Sequence, residues 1–264
     1  MTPERLEYNV IANPRSERVK AVAKLSRRSV RYREQRFLVE GPQSVREALK
    51  QPALVQEIYY TERGRDSYQE IYQLAQKTAK PLFQATEAVL DKMSPDAAHQ
   101  GWLLVYAMEE SDAPSTINLA IYLEEVKDPG NVGTIIRVAD AVGADAVFLS
   151  NECVDIYNSK VIRSTAGSLF HLPLVQNYNL DDVLALGLRS IVADGYAQHD
   201  IFHDKQLDQP TLWIFGNEAH GVSQEALSKA DCSLAIPMFG DAESLNVATA
   251  ATVCLYASCR EQRL

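Results

Sequence analysis

Three stretches in the second half of the 264-residue sequence collect the residue types that bind and act on polar ligands. The first, Asp128-Pro129-Gly130-Asn131-Val132-Gly133-Thr134-Ile135-Ile136-Arg137, runs into a helix expected over 132–142. Glycines there allow close backbone approach, and the free N–H groups of a helix start suit an anion. The second, Gly216-Asn217-Glu218-Ala219-His220-Gly221, follows an apolar run at 212–215. The third joins Ile236-Pro237-Met238-Phe239-Gly240 to Glu243-Ser244-Leu245-Asn246-Val247, which opens an Ala-rich helix. Between the first and second, Lys160-Val161-Ile162-Arg163-Ser164-Thr165-Ala166-Gly167-Ser168 sets two cations about one turn apart on a helix.

Taken singly, each stretch has an ordinary structural role. A Gly-rich strand-to-helix turn is common in α/β proteins, His220 suits a turn, and Ser244 or Asn246 suits a helix cap. The stripe Ala248, Ala250, Ala251 and Ala257 suits tight packing, and Lys160 with Arg163 suits a solvated basic face. A phosphate-binding loop is excluded: Gly216 and Gly221 have its spacing, but Val222 stands where it needs lysine. No strand is followed by Gly-x-Gly-x-x-Gly, which disfavours a Rossmann dinucleotide or methyl-donor site. The four cysteines, Cys153, Cys232, Cys254 and Cys259, form no Cys-x-x-Cys pair and have no nearby histidine at ligand spacing. Neither a metal site nor a disulfide framework is expected, which fits a reduced cytosol.

These stretches need a scaffold. At 46% hydrophobic and 23% charged, the chain has the composition of an ordinary globular protein, with length for one large domain or two smaller ones. From 16 to 28 the apolar stripe Val19, Val22, Ala23 and Leu25 predicts a helix whose other faces carry Arg18, Lys20, Lys24, Arg27 and Arg28. Apolar runs at 37–39, 54–60, 81–83 and 102–108, a turn at Gly41-Pro42 and helical stretches at 44–50 and 68–79 complete an alternating β/α pattern. Glu109-Glu110-Ser111-Asp112-Ala113-Pro114-Ser115 is polar and reads as a boundary, dividing the chain into residues 1–108, a linker at 109–116 and residues 117–264. In the second part strands are expected at 118–123, 146–149, 190–193, 212–215 and 233–236. Helices are expected there at 132–142, 159–164, 181–186, 224–229 and 246–260. That alternation predicts a parallel α/β sheet with functional loops at the carboxyl ends of its strands.

The formal net charge of −9 argues at first against a polyanionic partner. Residues 1–50, however, hold 12 basic and 6 acidic side chains, and the remainder holds 14 and 29. Between Arg15 and Arg36 there are 9 Lys and Arg against 2 acidic residues, a net +7 suited to tracking phosphates. The first ten residues lack the apolar stretch of a signal peptide, and no segment approaches 18 uninterrupted apolar residues. A soluble, cytoplasmic protein with no membrane partner is expected.

In this order and spacing, Asn131-x-Gly133-x-x-x-Arg137, Arg163-Ser164-x-Ala166-Gly167, Gly216-Asn217-Glu218-x-x-Gly221, Ile236-Pro237-Met238 and Ser244-Leu245-Asn246-Val247 resemble the SpoU/TrmH family of RNA ribose 2′-O-methyltransferases over residues 117–264. The resemblance implies an α/β knot of the SPOUT class, a deep trefoil knot in which the C-terminal segment threads a loop and binds S-adenosylmethionine. It also implies a homodimer with sites near the subunit interface. Nothing in the periodicity shows a knot. Asn13-Pro14-Arg15 through Phe37-Leu38-Val39-Glu40-Gly41 resembles the small α/β RNA-binding domain, similar to certain ribosomal proteins, that precedes members acting on 23S rRNA. Large-subunit rRNA is therefore the expected substrate, with a tRNA substrate or a non-catalytic RNA-binding role in ribosome assembly as alternatives.

By the same resemblance, backbone around Gly216, Ile236 and Leu245, together with Asn217 and Met238, grips the methyl donor, and Asn131, Arg137, Glu218 and Asn246 surround the ribose. No metal is implied. A guanidinium keeps its proton in water and is a poor base. Arg137 is therefore expected to clamp the target phosphate and stabilise the developing alkoxide, with Glu218 orienting it and relaying the proton. Asn246 is expected to orient the hydroxyl or the donor's carboxylate. Arg15, Arg18, Lys24, Arg27, Arg28 and Arg31, together with Lys160 and Arg163, are expected to meet the RNA.

Overall fold

A computed structural model of the protein describes residues 10–94 and 99–263. The signal-peptide reading therefore falls, except for Val10, outside the described residues. In chain order the elements of the first part are α1 (Glu17–Ala23), α2 (Arg28–Glu34), β1 (Arg36–Glu40), α3 (Pro42–Ala48), β2 (Val55–Tyr60), α4 (Glu62–Ser67), α5 (Gln69–Lys77), β3 (Leu82–Gln84), α6 (Glu87–Met93) and β4 (Trp102–Ala107). Then follow β5 (Leu119–Leu123), α7 (Pro129–Val142), β6 (Ala146–Leu149), α8 (Ser159–Thr165), β7 (Leu174–Val175), α9 (Leu180–Leu184), β8 (Arg189–Ala193), β9 (Thr211–Phe215), α10 (Gln224–Lys229), β10 (Cys232–Leu234) and α11 (Val247–Arg263). By packing they form two units: Met1–Glu109 with Tyr157–Phe170, and Glu110–Ile156 with His171–Leu264.

The first unit is built on a four-stranded sheet in the order β1-β4-β2-β3. The central β4 pairs antiparallel with β1 and β2, and only β3 is parallel to its neighbour. Val19, Val22 and Leu25 are buried against Val89, Leu90 and Met93 of α6, as the apolar stripe predicts. The single helix expected over 16–28 is broken, however. After α1 the chain makes a 3-10 turn at Lys24–Ser26, goes extended at Arg27 (φ −90°, ψ 128°) and starts again as α2. Arg31 closes the break: it is 4% exposed and donates from Nη1 to the carbonyls of Leu25 at 3.0 Å and Ser26 at 2.7 Å, acceptors that a helix end leaves without partners.

A segment from the second half of the sequence completes this unit. The Tyr157 ring lies 4.7 Å from that of Phe37, the Phe170 ring 5.3 Å from that of Tyr106, and Gln51 Nε2 donates to the Phe170 carbonyl at 2.8 Å. The contiguous division at 109–116 misses this return of the chain. Tyr157, Val161 and Ile162 are buried here, so α8, with Lys160 and Arg163, packs with the first unit.

The second unit carries a six-stranded, all-parallel sheet in the order β10-β8-β9-β5-β6-β7, as the alternation predicts. The chain first moves outward from β5 through β6 to β7, then returns to build β8, β9 and β10 on the other side. The order therefore reverses between β5 and β9, where Leu123 stands opposite Phe215, and the crevice outside such a reversal is where open parallel sheets bind ligands. α7 starts there. Asp128 Oδ1 accepts from the Asn131 N–H at 2.8 Å, with Pro129 pre-shaped for the first turn. α11 packs its buried face, Ala248, Ala251, Cys254, Leu255 and Ser258, inward, and Trp213 Nε1 of β9 donates to Ser258 Oγ at 2.9 Å. Among the described residues no helix is long and apolar enough to cross a membrane.

At the amino end of β8, Arg189 forms a bidentate pair with Asp204 at 2.8 and 2.7 Å, both side chains 13% exposed. The guanidinium holds the carboxyl below its ordinary value of 3.8. A carboxylate so depressed stabilises the fold above its unfolded pKa, and that contribution is lost as pH falls through the lower folded value. Asp204→Asn is expected to cost about 1–3 kcal/mol at neutral pH. The gap to wild type should close below about pH 4, as thermal unfolding of both proteins across that range will show.

Candidate active site

The loops at the reversal are locked by their own backbone. A Cβ at Gly216 would lie 2.2 Å from the Gly221 carbonyl oxygen and 2.3 Å from the Val222 nitrogen, so only glycine lets the loop after β9 fold back on itself. Asn217 pins it on both sides: Nδ2 donates to the Glu125 carbonyl at 2.9 Å and Oδ1 accepts from the Ala219 N–H at 2.8 Å. Ser223, which caps α10, donates through its N–H and Oγ to the Glu124 carboxylate at 2.8 and 2.7 Å.

Within this frame three of the four expected catalytic side chains form one hydrogen-bonded chain. Asn246 Nδ2 donates to Asn131 Oδ1 at 3.0 Å, and Asn131 Nδ2 donates to Glu218 Oε1 at 2.9 Å. The same carboxylate oxygen accepts from the Asp128 N–H at 3.4 Å. Asn246 also caps α11, its Oδ1 accepting from the Ala248 N–H at 2.9 Å, so its capping role and its place in the site coexist. The chain thus links the starts of α7 and α11 to the loop after β9.

Arg137 stands apart. It is exposed, has no hydrogen-bond or ion-pair partner among the described residues, and lies six residues beyond Asn131, about 9 Å along the helix axis. The contact expected between Glu218 and Arg137 is not made; Asn131 and the Asp128 N–H hold Glu218 instead.

Beside this chain opens a cavity of about 920 Å³. Gly216, Asn217, Ile236, Met238 and Leu245, the residues expected to grip a methyl donor, all line it, as do Glu218 and Asn246. Among the lining residues not foreseen are Asp194, Gly195 and Tyr196, from the loop after β8. Their signal was position alone, the carboxyl end of a predicted strand. Among the described residues no group of three or more metal-ligating side chains comes together.

The expected RNA-binding cations all belong to the first unit. Arg15, Lys24, Arg27 and Arg28 are exposed, the last with its guanidinium 5.4 Å from the Tyr32 ring, and Arg18 lies 4.3 Å over the Phe83 ring. Lys160 is exposed and Arg163 half-buried on α8. Lys24 and Arg27 line a groove of about 440 Å³ with Lys20 and with Lys92 of α6, a cation that sequence reading missed because it lies far along the chain. Arg31 is corrected: it is buried, and its guanidinium is spent on backbone carbonyls.

Residues 118–256 match the SpoU rRNA methylase family, and residues 16–103 match an MRM3-like substrate binding domain. The chain is 34% identical over 248 residues to the 23S rRNA (guanosine(2553)-2'-O)-methyltransferase RlmP of Bacillus subtilis (strain 168), covering 93% of this chain and 97% of that one. It is 31% identical over 268 residues to the 23S rRNA (uridine(2479)-2'-O)-methyltransferase of Streptomyces viridochromogenes, covering 91% and 88% of the two. Among solved structures, the SpoU methyltransferase AviRb from Streptomyces viridochromogenes in complex with the cofactor AdoMet matches with a TM-score of 0.82 at 28% identity, over 94% of this chain and 98% of that one. The chain belongs to the SpoU rRNA methylase family.

Arg31→Gln should destabilise the protein by about 1–3 kcal/mol, because it strands buried carbonyls. Arg27→Gln, on the surface, should change stability by less than about 0.5 kcal/mol. Chemical denaturation of the two variants checks the difference.

Proposed function

We propose that this protein transfers the methyl group of S-adenosylmethionine to a ribose 2′-hydroxyl of 23S rRNA. The reading is carried by the Asn246–Asn131–Glu218 chain at the edge of a cavity that gathers every residue expected to hold the donor. The lining fits that donor. Phe215, Leu234 and Ile236 give an apolar wall for a flat base, and the carboxylates of Asp194 and Glu218 suit a cationic group. When bound, S-adenosylmethionine supplies an electrophilic methyl on a sulfonium.

Glu218 accepts the proton that the hydroxyl sheds as its oxygen attacks. With Oε1 taken up by Asn131 and Asp128, the carboxylate presents Oε2 in a fixed orientation, and Asn246 holds Asn131 in turn. Arg137 has its donors uncommitted and carries a permanent charge, which fits it to clamp the phosphate next to the target ribose. It stabilises the developing alkoxide without acting as the base.

The relatives support rRNA as the substrate, and they are named for a guanosine and a uridine. The ribose is thus the feature their targets share. Exposed Arg15, Arg18, Lys24, Arg27 and Arg28 of the first unit, with Lys160 and Arg163, hold the RNA backbone, and RNA is distinguished from DNA by the acceptor hydroxyl itself. The C-terminal stretch from Ile236 to α11 threads the deep trefoil knot implied by the resemblance; its contribution to the cavity lining and the packing of α11 on α7 support this. We place the protein in the cytoplasm as a homodimer, for which half-exposed Tyr256 on α11 offers contact area.

Incubation with labelled methyl donor and deproteinised 23S rRNA or tRNA tests the proposal. Transfer to 23S rRNA is expected, and Arg137→Ala should lower its rate about 100-fold or more while donor affinity holds. Transfer to tRNA alone would move the substrate, and transfer to neither would end the enzymatic reading.

A further inference from the structure

Two aromatic rings, one lining the cavity and one next in the chain to a lining residue, are left uncovered by the fold. Tyr196 is 97% exposed and Phe239 is 92% exposed, so neither ring adds appreciably to folding stability. Tyr196 is nevertheless placed by a built turn, in which its N–H donates to Asp194 Oδ1 at 3.1 Å and the Ala197 N–H donates to the Asp194 carbonyl at 3.2 Å. Tyr196 lines the cavity, and Phe239 follows Met238, which also lines it. Their loops leave the carboxyl ends of neighbouring strands, β8 and β10, where Ala193 and Leu234 stand in register.

The surroundings indicate what the rings meet. Tyr196 lies between exposed Gly195 and half-buried Ala197, with exposed Gln198 next, and Phe239 lies between exposed Met238 and exposed Gly240, followed by Asp241 and Glu243. Two separate rings in a polar rim do not make the contiguous surface of roughly 800 Å² per partner that a stable subunit contact needs. They do suit an unstacked base, which offers one flat face to one ring and tolerates any sequence. We propose that Tyr196 and Phe239 stack on bases flanking the target nucleotide and hold it splayed, so that its ribose reaches Glu218. This rests on the reading of the cavity as a site of RNA methyl transfer.

Stacking is uncharged and releases no counterions, which separates it from the work of the basic residues. In the full-length protein, Tyr196→Ala and Phe239→Ala should each raise the Kd and the KM for a 23S rRNA fragment about tenfold. The affinity for S-adenosylmethionine and the slope of log affinity against log salt should stay at wild-type values. Tyr196→Phe should recover wild-type RNA affinity. Lys24→Gln with Arg27→Gln should instead flatten the salt slope by roughly 1.5 to 2. Wild-type RNA affinity in both alanine variants overturns the proposal, as does a lowered donor affinity or a changed sedimentation mass, which would assign the rings to the donor or to a second copy. If the wild-type protein methylates no RNA, the broader reading fails, and the Kd of the alanine variants still decides whether the rings stack.

Discussion

Glu218 is exposed, and an exposed carboxylate ordinarily samples several rotamers, yet here one of its oxygens is fixed from two directions. The Asn131 amide and the Asp128 N–H both donate to Oε1, and Asn246 secures Asn131 in turn. This constraint reaches far beyond one side chain. For the contacts to form, the starts of α7 and α11 and the loop after β9 must converge, although they are separated by 87 and 115 residues in sequence. The proposed role of Glu218 as proton acceptor asks for a carboxylate held within hydrogen-bond reach of its proton, and the fold holds this one through amides instead of a second charge.

The sheet explains why the convergence occurs where it does. Because the strand order reverses between β5 and β9, the loops after those two strands diverge to opposite sides and leave a crevice between them. Gly216 then folds the β9 loop tightly back and turns Glu218 toward the start of α7. Trp213 on the same strand ties β9 to α11 through Ser258, which couples the core to the far end of the hydrogen-bonded chain.

Much of this was legible in the sequence. The apolar run Ala146–Leu149 and the capped stretch Gln224–Lys229 have the bounds expected, because each has an unambiguous period and clear punctuation. The five cavity residues Gly216, Asn217, Ile236, Met238 and Leu245 follow from the family resemblance that the ordered motifs carry. What stayed hidden is non-local or short. α2, α4 and α6 span six or seven residues, below the window in which helical periodicity declares itself. The pairing of Glu218 with Asn131, and not Arg137, depends on tertiary geometry that spacing does not encode. Arg31 looked like one more cation in a basic run until its partners proved to be carbonyls across a helix break.

The charge is partitioned between the two units. The basic excess between Arg15 and Arg36 lies in the unit without the cavity, and the acidic surplus falls in the part of the chain that holds it. Under the proposed function, RNA retention and chemistry fall to different surfaces, and the chemistry rests on the amide–carboxylate chain. The most direct measurement is a double-mutant cycle on Asn131→Ala and Glu218→Gln, read as kcat for methyl transfer to 23S rRNA at saturating RNA and donor. If the two residues act as one unit, the double variant will be no slower than the slower single variant. Rate losses that simply multiply would show the residues to be independent and would contradict the account.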